Sequence, residues 1–84
     1  MTQRHIRLYT RDWCEDSQAA KEFLAKRQIL FQEIDIEKNP EAAEFVKSVN
    51  EGKERTPTVE VDGRVFHASP FNAEKFAHDL GIEP

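Results

Sequence analysis

The spacing of apolar residues changes from two to about three and a half across Cys14, and that change dictates the first step of the fold. From His5 to Thr10, Ile6 and Leu8 share one face and Arg7 and Tyr9 the other, the period of a β-strand. From Ser17 onward Ala20, Phe23 and Leu24 recur at helical spacing against Lys21, Glu22, Lys26 and Arg27, which predicts an amphipathic helix ending near Gln28. Cys14, the only cysteine of the 84 residues, therefore lies just before that helix or in its first turn. Backbone N–H groups left unpaired there, together with the helix macrodipole, favour negative charge.

The patterns that follow are equally local. Phe31 to Ile36 reads as a second strand, with Ile34 and Ile36 on one face and Glu33 and Asp35 on the other. Strand, helix and strand with short links predict a parallel βαβ unit. Asn39-Pro40 supplies a helix cap and a first-turn proline, and Ala42, Ala43, Phe45, Val46 and Val49 carry a second helix to a stop at Gly52. Thr58 to Val61 and Arg64 to His67 are β-rich runs joined by Asp62-Gly63, a two-residue hairpin signal. Ser69-Pro70 repeats the cap-plus-proline pattern, which predicts a third helix through Phe71, Phe76 and Leu80 to Gly81. The order is β-α-β-α-β-β-α, an α/β arrangement satisfied by a four-stranded mixed sheet with helices on its faces, read as one domain over 1–84.

Length and charge remove several function classes. A chain of this size has room for one core. One cysteine excludes an internal disulfide and any multi-cysteine metal site from this chain alone, and suggests a cytoplasmic setting. A net charge of −4 argues against nucleic-acid binding. No apolar stretch is long enough to cross a bilayer, and Met1 to His5 lead into a short strand rather than a signal-peptide core. His5, His67 and His78 have no metal-ligand spacing with one another or with Cys14, so no metal site is expected.

Trp13-Cys14-Glu15-Asp16-Ser17 after the first strand, Thr56-Pro57 before the hairpin, and the element order together resemble the glutaredoxin branch of the thioredoxin superfamily. Asp35-Ile36-Glu37, the helix from Pro40, Val49-Asn50-Glu51-Gly52 and Thr56-Pro57-Thr58-Val59 are most similar to short bacterial mycoredoxin-like and glutaredoxin-like proteins. The resemblance implies a thioredoxin-like fold and a redox-active Cys14. It implies that Pro57 is cis and faces the cysteine, with the backbone of Thr56 pairing with an extended substrate. It also puts Arg11 where related proteins commonly carry lysine. Trp13 is expected as an exposed aromatic beside the site, while Arg55 and Ser69 are further candidates for substrate contact.

The thiolate, not the thiol, is the nucleophile in exchange. The N–H groups of Asp16 and Ser17 and the Ser17 hydroxyl are expected to favour it. Glu15 and Asp16 oppose it as anions, and Arg11 and Arg55 are expected to offset them. The expectation is a Cys14 pKa below the free value of about 8.5. Ser17 occupies the place of a second cysteine, so an internal dithiol cycle is closed to this chain.

The leading reading is a monothiol oxidoreductase in which Cys14 takes a low-molecular-weight thiol from a mixed disulfide and a second small thiol regenerates it. Its partners would be thiol-modified or disulfide-containing proteins and glutathione, mycothiol or a similar thiol, with no bound cofactor and a monomeric protein. Related glutathione users carry Gly-Gly after the hairpin and a Ser/Thr-Asp pair at the third helix. Here Phe66-His67-Ala68-Ser69-Pro70-Phe71-Asn72 lacks the diglycine and the aspartate, which sets glutathione in doubt. Two other readings stand beside it. One is a redox-inactive or iron–sulfur-cluster-sharing binding module, although Glu15-Asp16 departs from the Cys-Gly-Phe-Ser of cluster carriers. The other is a dithiol protein in which Ser17 replaces an original cysteine.

Overall fold

A computed structural model describes residues 5–82. Met1 to Arg4, on which part of the expectation about a leader rests, and the outer limits of the 1–84 domain lie outside the described residues. The elements run β1 (Ile6–Thr10), α1 (Glu15–Lys26), β2 (Gln32–Asp35), α2 (Pro40–Val49), β3 (Thr58–Val61), β4 (Arg64–His67) and α3 (Ala73–Leu80). The four strands form one sheet in the order β2-β1-β3-β4. β1 pairs parallel with β2, with Tyr9 opposite Ile34, and antiparallel with β3, with Leu8 opposite Val59. This is the thioredoxin-like architecture implied by the sequence.

Alternation along β1 feeds two cores. Ile6 and Leu8 meet Val59 and Val61 on one face, under Ala20, Phe23 and Leu24 of α1 and Phe76, Ala77 and Leu80 of α3. Tyr9 faces the other way and joins Ile36, Ala42 and Val46, with the Tyr9 and Phe45 rings 5.0 Å apart. Each fully buried Leu, Val or Phe contributes about 1.5–3 kcal/mol of transfer free energy. The central strand is thus fixed by packing on both sides, and whatever follows its C-terminal end is held in place.

Local chemistry sets the element ends. Asn39 Oδ1 accepts the Ala42 N–H at 3.1 Å, capping α2 behind Pro40. Asp62 and Gly63 both take positive φ, 50° and 81°, the two-residue turn whose twist matches the flanking strands. Gly81 closes α3 in the left-handed region at φ 78°.

Two boundaries differ from the sequence reading. α1 begins at Glu15 with Cys14 as its N-cap residue, as expected, but ends at Lys26 rather than near Gln28, which has positive φ. α3 does not start at Ser69-Pro70. That peptide bond is cis, the helix begins at Ala73, and Asn72 is the cap, its Oδ1 accepting the Lys75 N–H at 2.9 Å. The physical reason is non-local. A Ser69 cap would need the N–H of Phe71 or Asn72, and the Phe71 N–H is bonded instead to Asp16 Oδ1 at 3.0 Å. The Phe71 ring meanwhile packs edge-on against Phe23 and Phe76, at 6.1 and 5.3 Å between centroids.

Candidate active site at the start of the first helix

The C-terminal end of β1 delivers the chain into a tight turn in which the Cys14 N–H donates to Arg11 O at 3.2 Å. The Gln18 N–H then donates to Cys14 O at 3.1 Å, the first helical bond. The Cys14 side chain caps nothing, so its sulfur is left to face the loop before β3. There the thiol donates to the carbonyl oxygen of Thr56 at 3.3 Å. The Thr56–Pro57 bond is cis and both residues are buried. Cys14 itself is half-buried.

The pKa of the thiol lies below its ordinary value. Burial pushes it up, and it is outweighed by donors to the sulfur: the side chains of Thr56 and Ser17, then the backbone N–H groups of Ser17 and Asp16. The bond from the thiol to Thr56 O exists only while the proton is present; on ionisation the sulfur becomes purely an acceptor and these donors hold it. Ser17 makes the point most clearly. It is 0 % exposed, and its Oγ has no hydrogen-bond partner among the described residues. An unsatisfied buried hydroxyl costs free energy, about 1–3 kcal/mol for a typical polar group. Ionisation makes the Cys14 sulfur an acceptor for that hydroxyl, which is the sense in which Ser17 lowers the thiol's pKa.

The charged neighbours do not act as the sequence suggested. Arg11 does not turn to the sulfur. Its guanidinium forms a close ion pair with the Glu54 carboxylate, donates to Glu54 O at 3.0 Å, and lies 5.0 Å from the Trp13 ring centroid. Trp13 is 66 % exposed and donates Nε1–H to Glu37 at 3.1 Å. Both side chains brace the 11–14 turn against neighbouring loops. Asp16 directs its carboxylate to the Phe71 N–H. Arg55 lines a cleft of about 240 Å³ with Lys53, Asn50 and His67 at the end of α2, a cleft in which Cys14 takes no part. Ser69 pairs with His67 Nδ1 at 3.3 Å.

The structure thus brings Cys14 against Thr56, with Ser17 on the same helical turn and Pro57 next to Thr56, and it pairs Arg11 with Glu54 and Trp13 with Glu37. Arg55 lies in the cleft at the end of α2 and Ser69 against His67. Asp16 as an acceptor for the loop after β4, and Ala68, whose N–H donates to Pro57 O at 2.9 Å, were not singled out from sequence. Both contacts join residues far apart in the chain, so no local signal announces them. Among the described residues no group of three His, Cys, Asp or Glu is placed to hold a metal ion, and no helix is long and apolar enough to cross a membrane.

A cysteine at a helix N-terminus facing a cis-proline loop, on a β2-β1-β3-β4 sheet, defines the thioredoxin-like class. The family model for Glutaredoxin matches residues 6–66, and the chain belongs to the glutaredoxin family. A Mycobacterium tuberculosis protein that carries the name glutaredoxin is 44% identical over 54 residues; the match spans 64% of this chain and 64% of that relative's length. Mycoredoxin 1 of Corynebacterium glutamicum is 32% identical over 73 residues, 87% of this chain and 90% of that one. Among solved structures, a variant of the thioredoxin-like protein BC3987 superposes with a TM-score of 0.77 at 31% identity, covering 93% of this chain and 96% of the other.

Proposed function

We propose that this protein, read as one domain, is a monothiol oxidoreductase that removes low-molecular-weight thiols from mixed disulfides through Cys14. The observation that carries the reading is the pairing of a single thiol with Ser17: one sulfur surrounded by donors that favour its thiolate, and a hydroxyl where a second sulfur would be needed for a dithiol cycle. In the first step the Cys14 thiolate attacks the small-thiol sulfur of a mixed disulfide. The old S–S bond breaks, its electron pair leaves on the protein sulfur, which takes up a proton, and Cys14 carries the small thiol as a new disulfide. In the second step the thiolate of another small-thiol molecule attacks that adduct, the disulfide of the small thiol departs, and Cys14 returns as thiolate. Thr56 and Pro57 line the approach, with the Thr56 backbone as the contact for an extended substrate. Arg11 and Trp13 act as its braced rim.

On a protein disulfide the same chemistry stops halfway, because no second thiol of this chain can displace the bound partner. The reading is tested by intact mass spectrometry after incubation with oxidised glutathione, mycothiol, bacillithiol and coenzyme A. One adduct on Cys14, released by its own thiol, supports it. No adduct from any of them overturns it and leaves a redox-inactive thioredoxin-fold module in its place.

A further inference from the structure

Asp16 makes two contacts, and only one of them serves the thiolate of Cys14. Its backbone N–H reaches the sulfur, and its Oδ1 accepts the Phe71 N–H at 3.0 Å from the far end of the chain. Phe71 belongs to the segment that begins at Ala68, and Ala68 donates to Pro57 O at 2.9 Å. Thr56, just before Pro57, accepts from the thiol at 3.3 Å. The contacts close a ring around the sulfur: Cys14 to Thr56, Pro57 to Ala68, Phe71 to Asp16, and Asp16 back to Cys14.

Two consequences follow from electrostatics. The Phe71 N–H is a backbone donor at the edge of this ring, and a carboxylate of the chain itself already occupies it; an anionic group brought in by a substrate would have to displace that carboxylate to bind there. Asp16 is also half-buried, so its charge is screened less than that of a surface carboxylate. Asp12 and Glu15, exposed on the same turn, add charge of the same sign. The cations in reach are committed or set apart, Arg11 to Glu54 and Arg55 to the cleft at the end of α2.

We propose that Asp16 sets the charge class of small thiol that Cys14 accepts: it disfavours thiols bearing a carboxylate close to the sulfur and favours neutral or cationic ones. The inference rests on the reading of Cys14 as the exchange nucleophile and adds the substrate class. Asp16 acts on the incoming thiol through its charge and on the 68–71 segment through its hydrogen bond, and the two effects are separable.

The test uses one carrier peptide joined by disulfide to cysteamine, 2-mercaptoethanol or 3-mercaptopropionate, three thiols with the same two-carbon spacer that differ in charge. Single-turnover rates of transfer to Cys14 are divided by the rates of the same adducts with free N-acetylcysteine amide, which removes their intrinsic reactivity. The wild-type protein should rank them cationic, neutral, anionic. Asp16→Asn keeps an oxygen acceptor for Phe71 and removes the charge, so the anionic-to-neutral ratio should rise about fivefold and the cationic-to-neutral ratio fall. Asp16→Ala, which also removes the acceptor, should shift the ratios in the same direction. Equal normalised rates for the three adducts in the wild-type protein, or ratios unmoved in Asp16→Asn, overturn the assignment while leaving exchange intact. Failure to react with all three adducts overturns the exchange reading itself, and this inference with it.

Discussion

The Ser17 hydroxyl is buried with no hydrogen-bond partner among the described residues, and it is among the groups that lower the pKa of the Cys14 thiol. The folded state therefore carries a small cost in one protonation state that becomes a favourable bond in the other. Burial alone would push a half-buried thiol the opposite way, so the donors decide the outcome.

Ser17→Ala should expose that trade. With the hydroxyl gone, the midpoint of iodoacetamide alkylation against pH moves up. Stability at a pH well below that midpoint, where the thiol is protonated, stays level or rises by up to about 1 kcal/mol, because a buried unsatisfied group has been removed. Urea denaturation and the alkylation profile measured on the same variant check both halves. A large loss of stability below the alkylation midpoint would mean that the hydroxyl has a partner in the thiol state.

The start of α3 gives a direct contrast. Asn72→Ala removes the acceptor for the Lys75 N–H and should cost about 1 kcal/mol. Ser69→Ala leaves that cap in place and removes only the contact to His67, and it should cost less than about 0.5 kcal/mol. Thermal unfolding of the two variants side by side separates them; the reverse order would return the cap to Ser69.

Glu33 links β2 to both neighbours: Lys21 Nζ donates to Oε2 at 2.9 Å and the buried Thr10 hydroxyl donates to the same oxygen at 2.8 Å. Burial raises the carboxyl's pKa, but the bonds from Lys21 and Thr10 outweigh it and the net shift is downward. A carboxyl whose pKa is lower folded than unfolded stabilises the fold above its unfolded pKa. That contribution is lost as the pH falls through the folded value. Glu33→Gln should therefore destabilise by about 0.5–1 kcal/mol at pH 7, a modest figure because the pair is partly exposed to water. Chemical denaturation at pH 7 and at pH 3 should show the difference between wild type and variant shrinking at the acid end.

Much of this was legible in the chain because the determinants were local. Asp62-Gly63 gives the hairpin its turn within two residues, and Asn39-Pro40 starts α2 with its own cap, so both elements lie where their residues place them. The three-residue spacing of Cys14 and Ser17 likewise puts both on the first turn of α1 whatever surrounds it. What escaped was decided across the fold. Ser69 and Asn72 are both cap-forming residues three apart; the choice fell to Asn72 because Asp16, 55 residues before Phe71, already holds the N–H that Ser69 would use. Arg11 is near Cys14 in sequence, yet Glu54, 43 residues on, takes its guanidinium through both carboxylate and carbonyl. Proximity in sequence suggested that Arg11 faces the sulfur, and long-range pairing redirected it.

The central claim is that Cys14 alone carries a two-step exchange cycle. It is tested most directly by following release of a peptide from its mixed disulfide with a small thiol, at varied concentrations of that thiol, for wild type and Cys14→Ser. The account predicts ping-pong turnover by the wild-type protein, none above background for Cys14→Ser, and on a peptide disulfide lacking any small thiol no more than one equivalent released per protein. Wild-type rates equal to those of Cys14→Ser would contradict it.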